Sequence, residues 1–580
     1  MPPGTRFAAI ELAINWGCKP MPVSNSQIAE LLRRYASLLA VQGADRFKVK
    51  AYRRAAGTVE QLSTELAGMV LRGEDLKQLP GIGNALSHTI VQIVETGGFA
   101  RLVESSSKLP PQLAELAARP RLDPRLALRA YKKLGIDNLK DLQKALDRGD
   151  VREQLGNRLE YCLRQSMGEQ PQMLLWEADK LAPLVENILR SVPGVEQFSR
   201  AGDLRRRVET VSELAFLVAG ATADSIFNEL KKNSAVRSFD RRNQSEAAFR
   251  ISSDRVVSIT WCRAKDWGKM LVLKTGSQSH LADVRLHATK TWHRAPRTAI
   301  PTAITESGVY EKLGLRFIEP ELREGRGEVA VAAKNRLPHL VALRDIRGDL
   351  HMHTTASDGA NTLHEMADAA TAKGYQYIAI ADHSQSLKIT NGLTEKRLFQ
   401  QIKAIDRFNA GSKNIHVLKS AEVDILEDGR LDYSNSALKE LDLTVCSIHS
   451  RFSLDRRKQT ERIMRAMDNR YFTILGHATG RLLLKREGYE LAIERLIQHA
   501  VDCGCYFEIN ANPDRLDLSD ENAKLAKAAG VKIAINTDAH STRELNFMSA
   551  GLNQARRGWL EAADVLNTLP LAKLLKLLKS

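Results

Sequence analysis

The stretch that decides the fold is DLHMHTTASDG, residues 349–359, which places two histidines two positions apart and an aspartate five positions after the second. The preceding IRG and the apolar positions within the stretch predict a strand, on which His351 and His353 point to the same side. Two imidazoles that converge on one point are a common way to hold a transition metal. By itself the stretch fits two interpretations equally well: a metal site, or ordinary polar residues at the end of a strand.

Six further apolar runs occur between helical stretches: YQYIAIADH (375–383), NIHVLKSAEVD (414–424), LDLTVCSIHS (441–450), FTILGHATG (472–480), CYFEINAN (505–512) and VKIAINTDAH (531–540). Strands that alternate with helices predict a parallel sheet or barrel. Nearly every run ends in a His, Glu or Asp, and barrel active sites collect at the carboxyl ends of the strands. We therefore expect one cleft to contain, with the two histidines of the first strand, His383, Glu422, His449, His477, Asp538 and His540. Recurrence over so many strands favours a metal site.

The composition is that of an ordered globular protein with several domains. The chain has 580 residues, of which 43% are hydrophobic and 27% charged, and this length is too great for one core. No apolar run approaches a membrane span and nothing resembles a cleaved signal peptide, so we expect a cytoplasmic protein. The net charge of +16 favours a polyanionic partner.

The cysteines and the start of the chain give two further expectations. Six cysteines are scattered without a CxxC pair, which is typical of reduced, structural thiols and not of a zinc finger. Residues 1–21 fit poorly with the helical pattern of the adjoining chain, whereas Ser26 can cap a helix that begins soon after Met21. Either Met1 is a misassigned start, or these residues are a loose extension.

The amino-terminal third is helical in pattern and contains LKQLPGIGNALSHTIVQIVETG, residues 76–97. The order helix, Pro, Gly-Ile-Gly, helix is typical of a helix-hairpin-helix. Gly81 and Gly83 allow a tight turn that aims backbone N–H groups and the positive end of the next helix at a phosphate. Such a contact holds a nucleic-acid backbone without reading its bases.

Basic residues precede this hairpin in DRFKVKAYRRAAG, residues 45–57. A charge run is usually a solvated face, but its position beside the hairpin favours a phosphate-binding surface formed by Arg46, Lys48, Lys50, Arg53 and Arg54. A second unit of similar shape, residues 118–146, has Leu122-Asp123-Pro124 where the Gly-x-Gly turn is expected, which argues against a phosphate contact there.

With these features, the chain resembles the bacterial family X DNA polymerases, which join a helix-hairpin-helix domain and a nucleotidyltransferase palm to a carboxy-terminal phosphoesterase domain called PHP. The resemblance covers residues 22–580 and implies a multidomain fold. It comprises an all-α hairpin domain at 22–105, a second, degenerate hairpin at 106–168, an α+β nucleotidyltransferase-like palm and thumb at 169–343, and an α/β distorted (βα)7 PHP barrel at 344–580.

The resemblance also implies that the palm is inactive. The family's Gly-Ser turn appears as Gly202-Asp203, and its three metal-binding aspartates fall on Glu213, Ala215 and Ser258. Two-metal nucleotidyl transfer needs several carboxylates to hold cations against the triphosphate. We therefore expect no template-directed synthesis. The lysine that forms a Schiff base in lyase-active relatives falls on Thr89, which cannot form an imine.

In contrast, the match to PHP domains has a suitable residue at every metal-ligand position. It implies three metal sites, which are His351, His353, Glu422 and Asp538; Glu422, His449 and His477; and Asp358, His383 and His540. Some related domains have His where this chain has Asp358. Mixed imidazole and carboxylate ligands suit Mn²⁺, Zn²⁺ or Fe²⁺ better than Mg²⁺.

Other polar residues near these ligands have candidate supporting roles. Arg451 and Arg481 are candidates for binding phosphate. Glu508, Asn510 and Asn512 share one face of a strand, where they either support the ligands or are plain loop residues.

The leading hypothesis is a DNA-binding, metal-dependent phosphodiesterase that acts as a 3′–5′ exonuclease, and the resemblance implies related work on abasic sites and 3′ phosphates in DNA repair. An active gap-filling polymerase with an attached nuclease is one alternative. The others are a phosphatase for small molecules and a non-catalytic DNA scaffold.

Overall fold

The computed structural model of the protein describes residues 23, 25–60, 62, 66–107, 124–136, 138–155, 160, 163, 172–233, 236–242, 245–251, 255–291 and 300–578. The chain forms two compact units. The first contains residues Met1–Pro171, Phe227–Arg242 and Ala248–Val257, and the second contains Gln172–Ile226, Asn243–Ala247 and Ser258–Ser580. The extension at 1–21 and the Leu122-Asp123 part of the second hairpin turn lie outside the described residues.

The first unit is mainly helical where it is described. Its helices are α1 Asn25–Val41, α2 Arg46–Glu60, α3 Leu66–Leu71, α4 Asn84–Thr96, α5 Ala100–Ser107, α6 Pro124–Leu134, α7 Leu139–Arg148 and α8 Asp150–Leu155. Their apolar faces form a core in which Tyr35 makes edge-on contacts with Tyr52 and Phe99. The helical expectation for this third is confirmed for its described residues.

The turn of the predicted helix-hairpin-helix joins a short 3-10 helix, Leu76–Gln78, to α4. Gly81 has φ +81°, and a Cβ there would lie 2.9 Å from Cδ of Arg54. The left-handed backbone therefore favours glycine at this position, whereas the flexible Arg54 side chain could move aside. Gly83 caps α4, so the first N–H groups of that helix face the turn.

The second unit begins with α+β structure and continues into a barrel. Up to residue 333 the structure has strands β1 Met173–Leu174, β2 Gln197–Arg200, β3 Thr210–Val211, β4 Glu213–Ala219, β5 Val236–Arg242, β6 Glu246–Ile251 and β7 Val256–Cys262. The helices are α9 Leu175–Ser191, α10 Gly202–Arg206, α11 Ala223–Lys232, α12 Trp267–Thr275, α13 Gln278–Thr291, α14 Glu306–Lys312 and α15 Glu328–Ala333. The division between the units falls within α11, β6 and β7, and β5 belongs wholly to the first unit. Inside the second unit, β2 pairs antiparallel with β4.

The barrel contains parallel strands and their connecting helices. The strands are β8 Gly348–Met352, β9 Tyr377–Ile380, β10 His416–Lys419, β11 Glu422–Asp424, β12 Val445–Ser447, β13 Ile474–Leu475, β14 Tyr506–Asn510 and β15 Ile533–Asn536. The helices are α16 Leu363–Ala372, α17 Glu395–Gly411, α18 Asn435–Leu438, α19 Arg456–Met467, α20 Ile493–Cys503, α21 Asp520–Ala528, α22 Met548–Arg557 and α23 Leu571–Leu578.

Pairing closes these strands into a ring. One parallel sheet has the order β10-β9-β8 and the other runs from β11 to β15 in sequence. Parallel bridges join His383 to Glu422 and Met352 to Ala539, which connect the two sheets at both seams. β10 and β11 are successive pieces of one interrupted strand, so the barrel has seven strands. This agrees with the expectation of a distorted (βα)7 barrel.

Hydrophobic side chains fill the space between the barrel strands and the surrounding helices, with Ile378, Val423, Phe507 and Ile535 fully buried. Among the described residues, no helix combines the length and apolar character that crossing a bilayer requires.

Candidate metal centre

The carboxyl ends of the barrel strands carry the predicted ligands. His351 lies on β8 and Glu422 opens β11, whereas the others lie in the segments after the strands: His353, Asp358, His383, His449, His477, Asp538 and His540. The structure brings all nine into one cluster. His477 and Asp538 have φ of 25° and 53°, a region that non-glycine residues adopt rarely.

One group combines His351, His353, Glu422 and Asp538, all of them buried. Nε2 of His353 lies 3.3 Å from Nε2 of His351 and 3.1 Å from Oδ1 of Asp538. Nε2 of His351 lies 3.5 Å from Oε2 of Glu422. Donor atoms at these separations, aimed at a common point, are what a single transition metal requires.

Glu422 lies between this group and a second one. Its Oε1 lies 2.8 Å from Nε2 of His477 and 3.3 Å from Nε2 of His449. Its Oε2 lies 2.8 Å from Nδ1 of His383. Both carboxylate oxygens therefore have imidazole nitrogens close by, so Glu422 can bridge two ions.

The third group contains Asp358, His383 and His540, and His353 also reaches it. Oδ1 of Asp358 lies 3.6 Å from Nε2 of His383 and 3.6 Å from Nε2 of His540. Asp358 and His540 form the solvent-accessible side of the cluster, because their side chains are 30% and 33% exposed. The loop that holds it packs tightly, since a Cβ at Gly359 would lie 2.8 Å from the backbone of His353.

Unpaired buried atoms show that the cluster fits metal ions. Oε2 of Glu422 and Nδ1 of His383 are buried and make no hydrogen bond, although they lie 2.8 Å apart. Buried polar atoms without partners are costly. Two lone pairs that face a shared cation explain this arrangement, and the chemistry of the donors is that of a transition-metal site.

Residues behind the ligands hold them in place. Glu508 accepts a hydrogen bond from Nδ1 of His351 at 2.8 Å and another from the backbone N–H of His477 at 2.8 Å. Asn510 donates to Oδ2 of Asp538 at 3.1 Å. Asn512 instead accepts a hydrogen bond from the backbone N–H of Asp514, which is a turn contact. This contact favours the interpretation of Asn512 as a loop residue that does not support the ligands.

Asp424 is a further supporting residue that the sequence-based prediction missed. Its Oδ1 lies 2.8 Å from Nδ1 of His449, which orients that imidazole with Nε2 toward Glu422. Asp424 lies two positions after Glu422, so both side chains lie on the same face of β11. This two-residue spacing was the available signal.

Replacing Asp424 with asparagine is expected to lower metal affinity by roughly 10- to 100-fold, because an amide holds the His449 tautomer less firmly. The measurement is a metal titration followed by calorimetry. Asp428→Asn is the matched control, since Asp428 is exposed on the same segment. Equal affinity in the two variants would show that the Asp424 contact does not orient the ligand.

Carboxylates dominate the electrostatics of the metal-free cluster. Burial favours neutral imidazole at His449, but Glu422 and Asp424 outweigh it and raise the pKa of His449 to about 10. Burial likewise opposes the charge on His540, but Asp358 and Asp538 raise its pKa to about 9. Both residues are therefore protonated at neutral pH when no metal is bound.

Metal binding is consequently expected to release protons and to weaken as the pH falls. A raised histidine pKa means that the proton must leave before the nitrogen can bind a cation, so affinity rises with pH until the raised pKa values are passed. Each proton released contributes about a tenfold change in affinity per pH unit. Calorimetric titrations in buffers of different ionisation enthalpy measure the number released. A pH-independent affinity around neutrality would contradict this expectation.

The two arginines predicted to bind phosphate have different environments. Arg451 is 64% exposed and pairs with Glu427 at 2.9 Å. Arg481 is 16% exposed and makes a two-pronged ion pair with Glu209, at 2.7 and 3.2 Å. Its guanidinium is thus occupied by a residue of the palm-like region. Arg515 lies closer to the ligands, with Nε 3.7 Å from Oδ2 of Asp538.

The basic surface beside the hairpin is largely exposed. Lys48, Lys50, Arg53 and Arg54 are all exposed on α2, as are Gly81 and Gly83 in the turn. The side chain of Arg46 lies outside the described part of the chain. Thr89 is buried, and its hydroxyl donates to the carbonyl of Ala85 at 2.8 Å.

In the palm-like region, the residues at the expected metal positions lie on adjacent strands. Glu213 opens β4, Ala215 lies on the same side of that strand, and Ser258 lies on β7, the neighbour of β4 in the sheet. A Cβ at Gly202 would lie 3.4 Å from Cβ of Ala215, so a methyl group faces the Gly202 turn.

The neighbouring arginines of this region are held in internal ion pairs. Arg205 contacts both oxygens of Glu306 at 2.7 and 2.8 Å. Arg206 bonds Glu324 at 2.9 Å and also pairs with Asp203. These guanidinium groups are engaged by carboxylates of the chain itself.

Comparisons with known proteins agree with this architecture. Models of a helix-hairpin-helix domain and a PHP domain match residues 23–99 and 349–512. The DNA polymerase/3'-5' exonuclease PolX of Bacillus subtilis (strain 168) is 35% identical over 556 residues, 93% of this chain and 96% of that protein. A probable phosphatase of Thermoanaerobacter sp. (strain X514) is 32% identical over 231 residues, 38% of this chain and 89% of that protein.

A probable phosphatase of Aliivibrio fischeri (strain MJ11) shows a weaker likeness, 26% identity over 214 residues, which cover 35% of this chain and 82% of that protein. The phosphatases correspond in length to the barrel, whereas the Bacillus protein spans the hairpin domain, the palm-like region and the barrel together. The chain therefore belongs to the bacterial family X DNA polymerases that carry a PHP domain.

Proposed function

We propose that the protein is a metal-dependent DNA phosphodiesterase that removes nucleotides or blocking groups from 3′ ends, and that its polymerase-like region no longer transfers nucleotides. The observation that carries this proposal is the nine-residue cluster around Glu422, in which every expected ligand is present and buried atoms lack any other partner. The name of the Bacillus relative, which includes a 3'-5' exonuclease activity, supports the same conclusion.

The proposed resident metals are Mn²⁺ or Zn²⁺, in up to three sites. When bound, such ions activate water and neutralise the charge of a phosphate ester. Glu508 and Asp424 of the chain orient the ligands. Solvent is excluded from one side of the cluster, since His351 and His353 have no exposed surface. Arg515 is placed to balance negative charge at the open side, because it contacts Asp538 while its side chain is 21% exposed.

DNA is the proposed substrate because the cluster shares a chain with a phosphate-binding surface. Exposed lysines and arginines on α2 flank a turn whose backbone and helix end are typical of contacts to nucleic-acid phosphates. Such contacts are independent of base sequence. They suit an enzyme that must act wherever a gap, a nick or a damaged 3′ end occurs.

The alternative in this family of barrels is hydrolysis of small phosphate esters, which the likeness to probable phosphatases favours. The test is to compare the metal-loaded protein on 3′-labelled gapped DNA, 3′-phosphorylated DNA and p-nitrophenyl phosphate. We expect faster turnover of DNA. Higher catalytic efficiency on small esters than on every DNA end would instead support a phosphatase.

The basic surface supplies the matched variant for this test. Changing Lys48, Lys50 and Arg53 together to alanine removes exposed charges and is expected to weaken DNA binding. The slope of log affinity against log salt concentration should become less steep by about one unit for each residue that contacts a phosphate. Hydrolysis of p-nitrophenyl phosphate should not change, because these residues are not part of the barrel. Unaltered DNA affinity would exclude this surface as the DNA-binding site.

A further inference from the structure

Metal-capable side chains also meet at a place that shares no residue with the nine ligands. Asp468 comes directly after α19, and His499 and Cys503 lie on α20. The spacing of four residues between His499 and Cys503 puts both on one face of that helix. In a barrel of this kind, helices end at the face opposite to the carboxyl ends of the strands, so this cluster lies on the far side from the candidate active site.

The distances between the donor atoms match those around a small tetrahedral ion. Nε2 of His499 lies 2.9 Å from Oδ1 of Asp468, and Sγ of Cys503 lies 3.5 Å from that nitrogen and 3.9 Å from that oxygen. Zinc bonds to nitrogen, oxygen and sulfur of about 2.0–2.3 Å at tetrahedral angles place donors roughly 3.3–3.6 Å apart. The observed set needs adjustments of only a few tenths of an ångström.

The backbone around the cluster also favours a cation. Asp468 caps the carboxyl end of α19, and Cys503 is the last residue of α20. The carboxyl end of a helix carries partial negative charge, and two such ends meet here. The carbonyl of Met464 in the last turn of α19 lies 3.2 Å from Nε2 of His499. The Asp468 carboxylate and these helix ends favour a dication, and binding of the ion would displace the proton of the Cys503 thiol.

We propose that Asp468, His499 and Cys503 bind one zinc ion that fastens the end of α19 to α20. A sulfur, a nitrogen and an oxygen donor are the combination that selects zinc over manganese. The site leaves a fourth position for water. Its role is structural: α19 leads into β13 and then to His477, and α20 leads into β14 and then to Glu508, so the ion holds together two successive helix–strand units that supply the active site.

Cobalt substitution tests this site separately from the nine-ligand cluster. Co²⁺ bound to a thiolate gives a sulfur-to-metal charge-transfer band in the near ultraviolet, and none of the nine ligands contains sulfur. The full-length protein loaded with Co²⁺ is expected to show this band, and Cys503→Ser is expected to lose it. Cys262→Ser, which changes another thiol with partial exposure, should keep it. Absence of the band from the unmodified protein, or its persistence in Cys503→Ser, would overturn the proposal.

Conservative changes at the other two ligands complete the test. His499→Gln and Asp468→Asn are each expected to lower the affinity for Co²⁺, measured by titrating this band, by about tenfold or more, because each removes one of three donors. Zinc should raise the melting temperature of the unmodified protein by several degrees more than that of Cys503→Ser. A band of equal intensity in these two variants would show that His499 and Asp468 are not ligands, and equal zinc-induced stabilisation would show that the cluster binds no zinc. Either result would overturn the proposal.

Discussion

Replacing Glu422 with alanine is expected to lower DNA hydrolysis by roughly a thousandfold or more, because bound cations contribute several kcal/mol to stabilising the transition state and Glu422 contacts two groups of ligands. Its two oxygens approach His383, His449 and His477, and burial keeps it away from water. The two nearest ligand carboxylates face other imidazoles, since Asp538 lies 3.1 Å from His353 within the first group and Asp358 belongs to the third group. Metal content should fall together with activity.

The control for this prediction is Glu440→Ala, which removes an exposed carboxylate from the barrel. Circular dichroism and the melting curve establish that both variants fold. Elemental analysis after removal of loosely bound metal measures the ions retained per chain. If Glu422→Ala kept the metal content and the nuclease activity of the control, the cluster would not be the active site, and the proposed function would have to be abandoned.

Primer extension is expected to yield no added nucleotide with either Mg²⁺ or Mn²⁺. Glu213 is the single carboxylate among the three positions at which the family has aspartates, and one carboxylate cannot hold two cations against a triphosphate. The basic groups nearby are also engaged, because Arg205 is bound by Glu306 and Arg206 by Glu324 and Asp203. We therefore expect nucleotide incorporation to be undetectable in a gel assay in which an active relative extends the primer.

A reconstruction provides the matched variant. Glu213→Asp, Ala215→Asp and Ser258→Asp introduced together restore the three carboxylates, and the comparison shows whether their loss alone accounts for inactivity. The assay uses Glu422→Ala as background so that nuclease action does not erase extended products. Template-dependent incorporation by the unreconstructed protein would prove the predicted inactivity wrong and would favour a gap-filling polymerase with an attached nuclease.

The contacts of the palm-like region with the barrel give that region a structural role that does not depend on nucleotide transfer. Glu209, between α10 and β3, pairs with Arg481 and accepts a hydrogen bond from Gln554 at 3.2 Å. Arg481 in turn donates to the carbonyl of Arg515 at 3.1 Å, next to the loop that approaches the ligand Asp538. The palm-like region thus braces a loop at the edge of the candidate active site.

The amino-acid sequence by itself determined the barrel, the positions of its candidate ligands and the hairpin. Each ligand comes after a short apolar run, and parallel strands present their carboxyl ends at one face, so separate positions such as His351 and Asp538 had to meet. Gly81 was recognisable because a tight turn before a helix needs a residue that tolerates positive φ. These features depend on local pattern and on topology, both of which can be read along the chain.

Tertiary structure alone decided the partners of the charged residues. Arg481 was a candidate for binding phosphate, but it is bound by Glu209, which lies 272 positions away. The cluster of Asp468, His499 and Cys503 likewise joins two helices that no sequence motif connects. Long charged side chains reach several ångströms and choose among many partners, so their pairing depends on the packing angles and register of whole elements. Those quantities are set by the folded core and leave no periodic signal in the sequence.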